Sequence, residues 1–193
     1  MDCIKVGKLI FSLRTEKGMT QKQLAAAMNI SDKTISKWER GLGCPDVSLL
    51  GDLSEIFGVH IEKILQGNLS RNDADAGNMK KIKFFVCPVC GNVLTATGDA
   101  EIYCCGRRLM PLMARAAEEG HRLNVQEIED EYYVTFDHEM SKQHFISFVA
   151  CVACDKVLLI KLYPEQSGEF RMPRMRDGKL YFYCNQHGFW ENK

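Results

Sequence analysis

Apolar positions recur with a helical period through the first 66 residues and lose that period after residue 80. Val6, Leu9, Ile10 and Leu13 mark a first amphipathic helix, and Gly18, free to take a positive φ, ends it. Thr20 caps a second helix carrying Leu24, Ala25 and Met28, with Gln23 placed for a capping box. Ser31 caps a third, running through Thr34, Ile35 and Trp38 until Gly41 and Pro45 stop it. Asp46 starts a fourth with Leu49, Leu50, Leu53 and Ile56, and Ile61, Ile64 and Leu65 predict a fifth. Beyond residue 80, segments 83–86, 101–103, 125–128, 132–136, 145–153, 157–162 and 180–183 are short β-branched or aromatic runs between turns. Short strands without long helices predict a small sandwich or barrel, so the chain reads as α then β. Residues 67–80 separate the two regions. They are polar, contain glycine and lack an apolar period, as a linker does.

Basic and acidic side chains number 25 each, which excludes a polycation that coats nucleic acid by bulk charge. The balance hides an asymmetry: residues 1–40 carry eight basic against four acidic side chains, whereas seven of the nine cysteines follow residue 80. The opening Met1-Asp2-Cys3-Ile4-Lys5 begins no long apolar run, and no stretch approaches a membrane span of about 18 apolar residues. The expectation is a soluble, cytoplasmic protein with no membrane partner. In a reducing compartment, nine cysteines point to metal ligands rather than a disulfide framework. Cys3 and Cys44 have no partner in sequence and are assigned no role.

In the first region, a helix capped by Ser31 can point its first turn into a major groove, with Asp32, Lys33, Ser36 and Lys37 on its exposed side. The residues Met19-Thr20-Gln21-Lys22-Gln23-Leu24-Ala25 and Ile30-Ser31-Asp32-Lys33-Thr34-Ile35-Ser36-Lys37-Trp38-Glu39-Arg40-Gly41 closely resemble the lambda-repressor-like (XRE) helix-turn-helix family. The resemblance covers residues 4–66, and residues 1–66 are read as this domain. It implies five helices, double-stranded DNA as partner and a homodimer. Lys33, Thr34, Ser36 and Lys37 are the candidates for base or phosphate contact, and Gln21 matches the family position that anchors to a backbone phosphate. Trp38 is expected to pack on the first helix, and His60 to be a surface or cap histidine.

The second region holds two candidate metal centres. Cys87-Pro88-Val89-Cys90-Gly91 is followed by Cys104-Cys105-Gly106. Two such pairs can supply four sulfurs to one metal, and all-sulfur coordination selects zinc or iron. The second pair is adjacent, unlike that of a zinc ribbon, which argues against zinc. This stretch resembles the desulforedoxin module at the front of desulfoferrodoxins, which implies one iron held by Cys87, Cys90, Cys104 and Cys105, with zinc as the alternative, in a module spanning residues 81–113.

Residues 114–193 contain four of the five histidines. The pattern His138, Met140, His144, Phe145 and the pattern Cys184-Asn185-Gln186-His187-Gly188, with Trp190, resemble the superoxide reductase (neelaredoxin-type) domain. The resemblance implies an immunoglobulin-like β-sandwich and an iron surrounded by His121, His138, His144 and His187, with Cys184 axial and superoxide as the candidate reactant. Glu119 precedes His121 and is the candidate catalytic carboxylate. Gly120 stands where the family has a lysine, and Glu139 where it has a proline. In Cys151-Val152-Ala153-Cys154 the cysteines lie three apart on a strand and face opposite sides, so both are expected to be core residues. Together these readings describe a transcriptional regulator whose iron region senses superoxide or redox state. The alternative is a superoxide reductase carrying a helix-turn-helix.

Overall fold

Five helices form where caps and apolar spacing agree. In the computed structural model, which describes residues 1–70, 78–118 and 120–192, they are α1 (Cys3–Glu16), α2 (Gln21–Ala27), α3 (Asp32–Glu39), α4 (Leu50–Phe57) and α5 (Ile61–Gln66). Thr20 and Gln23 make the reciprocal capping box of α2, and the Ser31 hydroxyl accepts from the Thr34 N–H at the start of α3. Asp46 caps a single 3-10 turn, Val47–Leu49, and α4 follows it, so the predicted fourth helix begins later than its cap suggests. Val6, Leu9, Ile10, Leu24, Ile35, Trp38, Leu53 and Ile64 share one core. His60 sits exposed at the N-cap of α5.

Two cysteines depart from the expectation that sulfur here serves metal: Cys3 and Cys44 are joined as a disulfide. They lie 41 residues apart with no spacing signal, and packing of α1 against the segment after α3 brings their Cα atoms to 4.9 Å. Compact units span Met1–Arg71 and Asn72–Lys193. Among the described residues, no helix is long and apolar enough to cross a membrane.

The second unit is β-rich. Strands β1 (Lys83–Val86) and β2 (Val93–Ala96) form one hairpin, and β3 (Ile102–Cys104) and β4 (Arg107–Leu109) another. Next come β5 (Arg115–Ala116), β6 (Asn124–Ile128), β7 (Glu131–Thr135), β8 (Ile146–Val152), β9 (Val157–Lys161), β10 (Glu169–Pro173), β11 (Lys179–Cys184) and β12 (Gly188–Asn192). They build a five-stranded sheet, order β5-β12-β11-β8-β9, and a three-stranded sheet, order β10-β7-β6. Val134, Val149, Met172, Phe182 and Trp190 fill the core between these sheets. All seven residues of β8 are buried, which is why its sequence is one continuous apolar run. On its other face, Phe148, Ala150 and Val152 pack with Phe84 of β1, so the first hairpin shares a core with the sheet, while Leu109 of the second packs with Phe85 and Cys87. Cys151 is a core residue as expected, but Cys154 is exposed, because the strand has ended before it.

Candidate functional site

The four-cysteine centre rests on two turns. Cys87 follows β1, and the Gly91 N–H donates to the Cys87 carbonyl at 2.9 Å, closing a tight knuckle with Gly91 at φ 67°. In the second hairpin Cys104 pairs with Arg107, leaving a two-residue turn of Cys105 (φ 49°) and Gly106 (φ 73°). Positive φ at both positions is the geometry of a type I′ turn. That turn is how adjacent cysteines deliver sulfurs to one point. Cys105 bears the strain of a non-glycine residue there, which the sulfur cluster retains. The four Sγ atoms lie within 4.8 Å of one another, and Cys90 and Cys104 are 3.6 Å apart. Four sulfurs at about 2.3 Å from one tetrahedral metal would be about 3.8 Å apart, so the set fits such an ion. Its electrostatics agree. Backbone N–H groups, that of Cys90 foremost, lower the Cys87 thiol to about 6. Hydrogen bonding to Cys90 and Cys87 pushes Cys105 up to about 12. One thiolate forms readily and the last resists, a conflict that a bound cation removes.

The histidine centre is assembled from three loops and the end of a strand. Cys184 ends β11 and is fully buried, at a β-bulge where the register against β8 shifts between Tyr183 and Cys184. His187 closes the hairpin to β12, and its N–H points at Cys184 Sγ, 3.4 Å away. Asn185 clamps the other loop: it accepts from the Phe145 N–H and donates to the Gln143 carbonyl, both at 2.9 Å. His144 is thereby set beside His187.

The four imidazoles form a closed ring. Centroids are 5.1 Å apart for His121–His138, 4.6 Å for His138–His144, 4.7 Å for His144–His187 and 4.7 Å for His187–His121, every pair edge-on. Across the ring, His138 and His187 are 6.4 Å apart. His187 Nδ1 lies 2.9 Å from His121 Nε2, 3.2 Å from His144 Nε2 and 3.5 Å from Cys184 Sγ. The outer nitrogens are anchored elsewhere. His138 Nδ1 meets the Glu139 carbonyl at 2.6 Å, and His144 Nδ1 meets the Glu139 carboxylate at 2.7 Å. Glu139 thus orients two rings at once. His138 Nε2 is buried and has no hydrogen-bond partner. Donor atoms of His121, His138, His187 and Cys184 lie within 4.8 Å of one another, as the ligands of one metal would; His144 is outside this set but adjoins His187 at 3.2 Å. Burial, then the neighbouring imidazoles, hold His121 below its ordinary value; burial likewise lowers His138. Both therefore keep free lone pairs at neutral pH. Glu119 lies outside the described residues.

On α3, Lys33 and Lys37 are exposed and Thr34 and Ser36 half-buried, and the Thr34 hydroxyl is shared with Ser31 at 2.9 Å. Gln21, Asp32, Lys33, Ser36, Lys37 and Arg40 line one surface depression. The Gln21 amide donates to Glu39 at 2.7 Å, and Glu39 also accepts from Arg14 Nε and Nη2, so the Gln21 side chain already has a protein partner. Arg40 was missed in sequence, although it follows Lys33 and Lys37 at helical spacing.

A helix-turn-helix family profile matches residues 10–64. The transcriptional activator BcrR of Enterococcus faecalis is 39% identical over 71 residues, which are 37% of this chain and 35% of that protein, so the chain spans about a third of that relative's length. A desulfoferrodoxin of Desulfarculus baarsii is 30% identical over 123 residues, 58% of this chain and 96% of the relative. The chain belongs to the desulfoferrodoxin family. It carries the family's region behind a helix-turn-helix of the regulator type. The crystal structure of the superoxide reductase from Treponema pallidum shares the fold of this desulfoferrodoxin region, with a TM-score of 0.50 and 21% identity over 58% of this chain and 98% of that one.

Proposed function

We propose that this chain is a sequence-specific DNA-binding transcriptional regulator, acting in the cytoplasm as a homodimer, whose desulfoferrodoxin region senses superoxide or redox state. The observation that carries it is the cluster of His121, His138, His187 and Cys184, with His144 3.2 Å from His187, in one chain with a helix-turn-helix. His121, His138, His144, His187 and Cys184 hold iron at one centre, and Cys87, Cys90, Cys104 and Cys105 hold iron, or alternatively zinc, at the other. When bound at the histidine centre, iron supplies a one-electron change between ferrous and ferric states. The chain's own residues prepare that change. Glu139 fixes the tautomers of His138 and His144, and burial keeps His121 and His138 neutral. Glu119, two residues before His121 in the sequence, is the candidate further ligand. Gly120 offers no cation to draw superoxide in, which favours sensing over rapid turnover. Lys33, Ser36 and Lys37, with Thr34, Gln21 and Arg40 beside them, face the duplex.

The test is operator affinity in both oxidation states, on duplexes selected by the full chain from a random pool. Ferrous and ferric protein should differ by about 5–150-fold. His144→Ala and Cys184→Ser should abolish the difference and keep basal binding, and Lys33→Ala and Lys37→Ala should weaken binding in both states. Cys104→Ser should remove one of the two metals and leave the other. Equal affinity in both states, together with fast catalytic conversion of superoxide to hydrogen peroxide, would replace this reading with that of a superoxide reductase carrying a helix-turn-helix.

A further inference from the structure

Arg115 belongs to none of the motifs above. Its short strand β5 runs parallel to β12, with Arg115 opposite Trp190. The guanidinium donates through Nη2 to the His187 carbonyl. Its Cζ also lies 4.1 Å from the centroid of the Trp190 ring. Trp190 in turn stacks on His121, with centroids 4.6 Å apart and planes 23° from parallel. One side chain therefore holds the backbone of His187 and backs the ring of His121 through an indole. His121 needs that backing. It sits in an irregular segment between β5 and β6, and its other ring contacts among the described residues are imidazoles of the same centre. Of these, His187 meets His121 nitrogen to nitrogen at 2.9 Å, a contact that a shared cation would replace.

We propose that Arg115 is a positioning residue of the histidine centre, fixing His187 by its carbonyl and His121 through Trp190 so that both rings face the shared point before metal arrives. This rests on the reading that the centre holds a metal. Two effects of the guanidinium oppose each other. Its charge repels a metal cation, while its contacts order two of the ligands. Arg115 is exposed, so water and salt screen the charge. The hydrogen bond and the stack act at contact distance, and ordering wins. Lysine cannot replace it, because an ammonium has no flat face to lay on an indole.

The test is cobalt(II) titration of the full chain without oxygen, followed by visible spectra, with the four-cysteine centre as internal reference. Arg115→Gln should weaken binding at the histidine centre by about 10–100-fold, leave the four-cysteine centre unchanged and move the histidine-centre spectrum toward that of His121→Ala. Arg115→Lys should lose affinity as well. Unchanged or tighter binding in Arg115→Gln would overturn the proposal, tighter binding being the mark of charge alone. So would equal losses at both centres, or an Arg115→Lys protein that matches the parent. A parent chain that takes no cobalt at the histidines would sink the metal reading, and this role with it.

Discussion

Gly7→Ala and Gly51→Ala make the same chemical change inside two helices and should act in opposite directions. A Cβ on Gly7 would stand 1.9 Å from the Trp38 carbonyl oxygen and 2.9 Å from its carbon. An ordinary contact begins at 3.4 Å, so α1 and the end of α3 must separate by about 1.5 Å. The carbonyl cannot swing aside cheaply, because it accepts the Gly41 N–H at 2.8 Å. Alanine gains at most about 1 kcal/mol of helix propensity. Overpacking costs about 1–3 kcal/mol or more, and the rigid backbone oxygen puts this site at the upper end, for a net loss of about 2 kcal/mol. At about 4–8 °C per kcal/mol in a domain this small, the melting temperature should fall by about 8–16 °C. A Cβ on Gly51 meets nothing within 4 Å, so Gly51→Ala in α4 should stabilise by up to about 1 kcal/mol. The α-helices among the described residues lie in the first unit, so far-ultraviolet circular dichroism of the full chain reports this transition. A Gly7→Ala protein that melts at or above the parent temperature would refute the close approach of α1 to α3.

Two further outcomes follow from the same unit. Arg14 and Glu39 form a bidentate pair whose side chains are only 11% and 5% exposed, so Glu39→Gln should strand a buried cation and cost about 3 kcal/mol, read from urea unfolding; a change below the error of that measurement would show that the pair is not buried in solution. Breaking the Cys3–Cys44 disulfide frees a loop of 41-residue separation, worth about 4 kcal/mol in the chain-entropy account, so dithiothreitol and Cys3→Ser should lower the first unit's stability alike, and a reductant-insensitive parent would show the two thiols to be unlinked.

The helical half was legible because its signals are local. Thr20 and Gln23 form the capping box read from their spacing, and Ser31 caps α3 as read, accepting from the Thr34 N–H. Strands β1, β3, β6, β7, β8, β9 and β11 were legible as β-branched or aromatic runs, whether buried throughout like β8 or exposed like β6. Strands β2, β4, β5, β10 and β12 went unread because they are short or mix charge, glycine and proline, and β5 and β10 also depend on partners far along the chain, β12 and β7. The centres divide in the same way. Pattern spacing brought His138, His144, Cys184 and His187 to attention, and the fold brings their side chains together. Adjacent Cys104 and Cys105 looked like awkward ligands, because positive φ at a cysteine is not written in composition. Glu139 was read only as a missing proline, yet its carboxylate and carbonyl orient two imidazoles. Arg115 reaches His187 from 72 residues away, beyond any local pattern.

The sensing reading carries a reciprocal obligation. If oxidation at the histidine centre changes operator affinity by some factor, operator binding must shift the reduction potential of that centre by the same free energy. For a one-electron couple, each tenfold in affinity corresponds to about 59 mV. The sign is set as well: if the ferric protein binds more tightly, DNA stabilises the ferric form and the potential falls. Each compact unit has its own core, so a helix-turn-helix that merely shares a chain with the desulfoferrodoxin region has no reason to produce any shift. Titrating the full chain electrochemically with and without operator duplex therefore measures the coupling from the metal side, independently of any DNA-binding assay. A potential that ignores a saturating operator means zero coupling. In that case the desulfoferrodoxin region does not control DNA binding through the oxidation state of its histidine centre, however complete its ring of ligands.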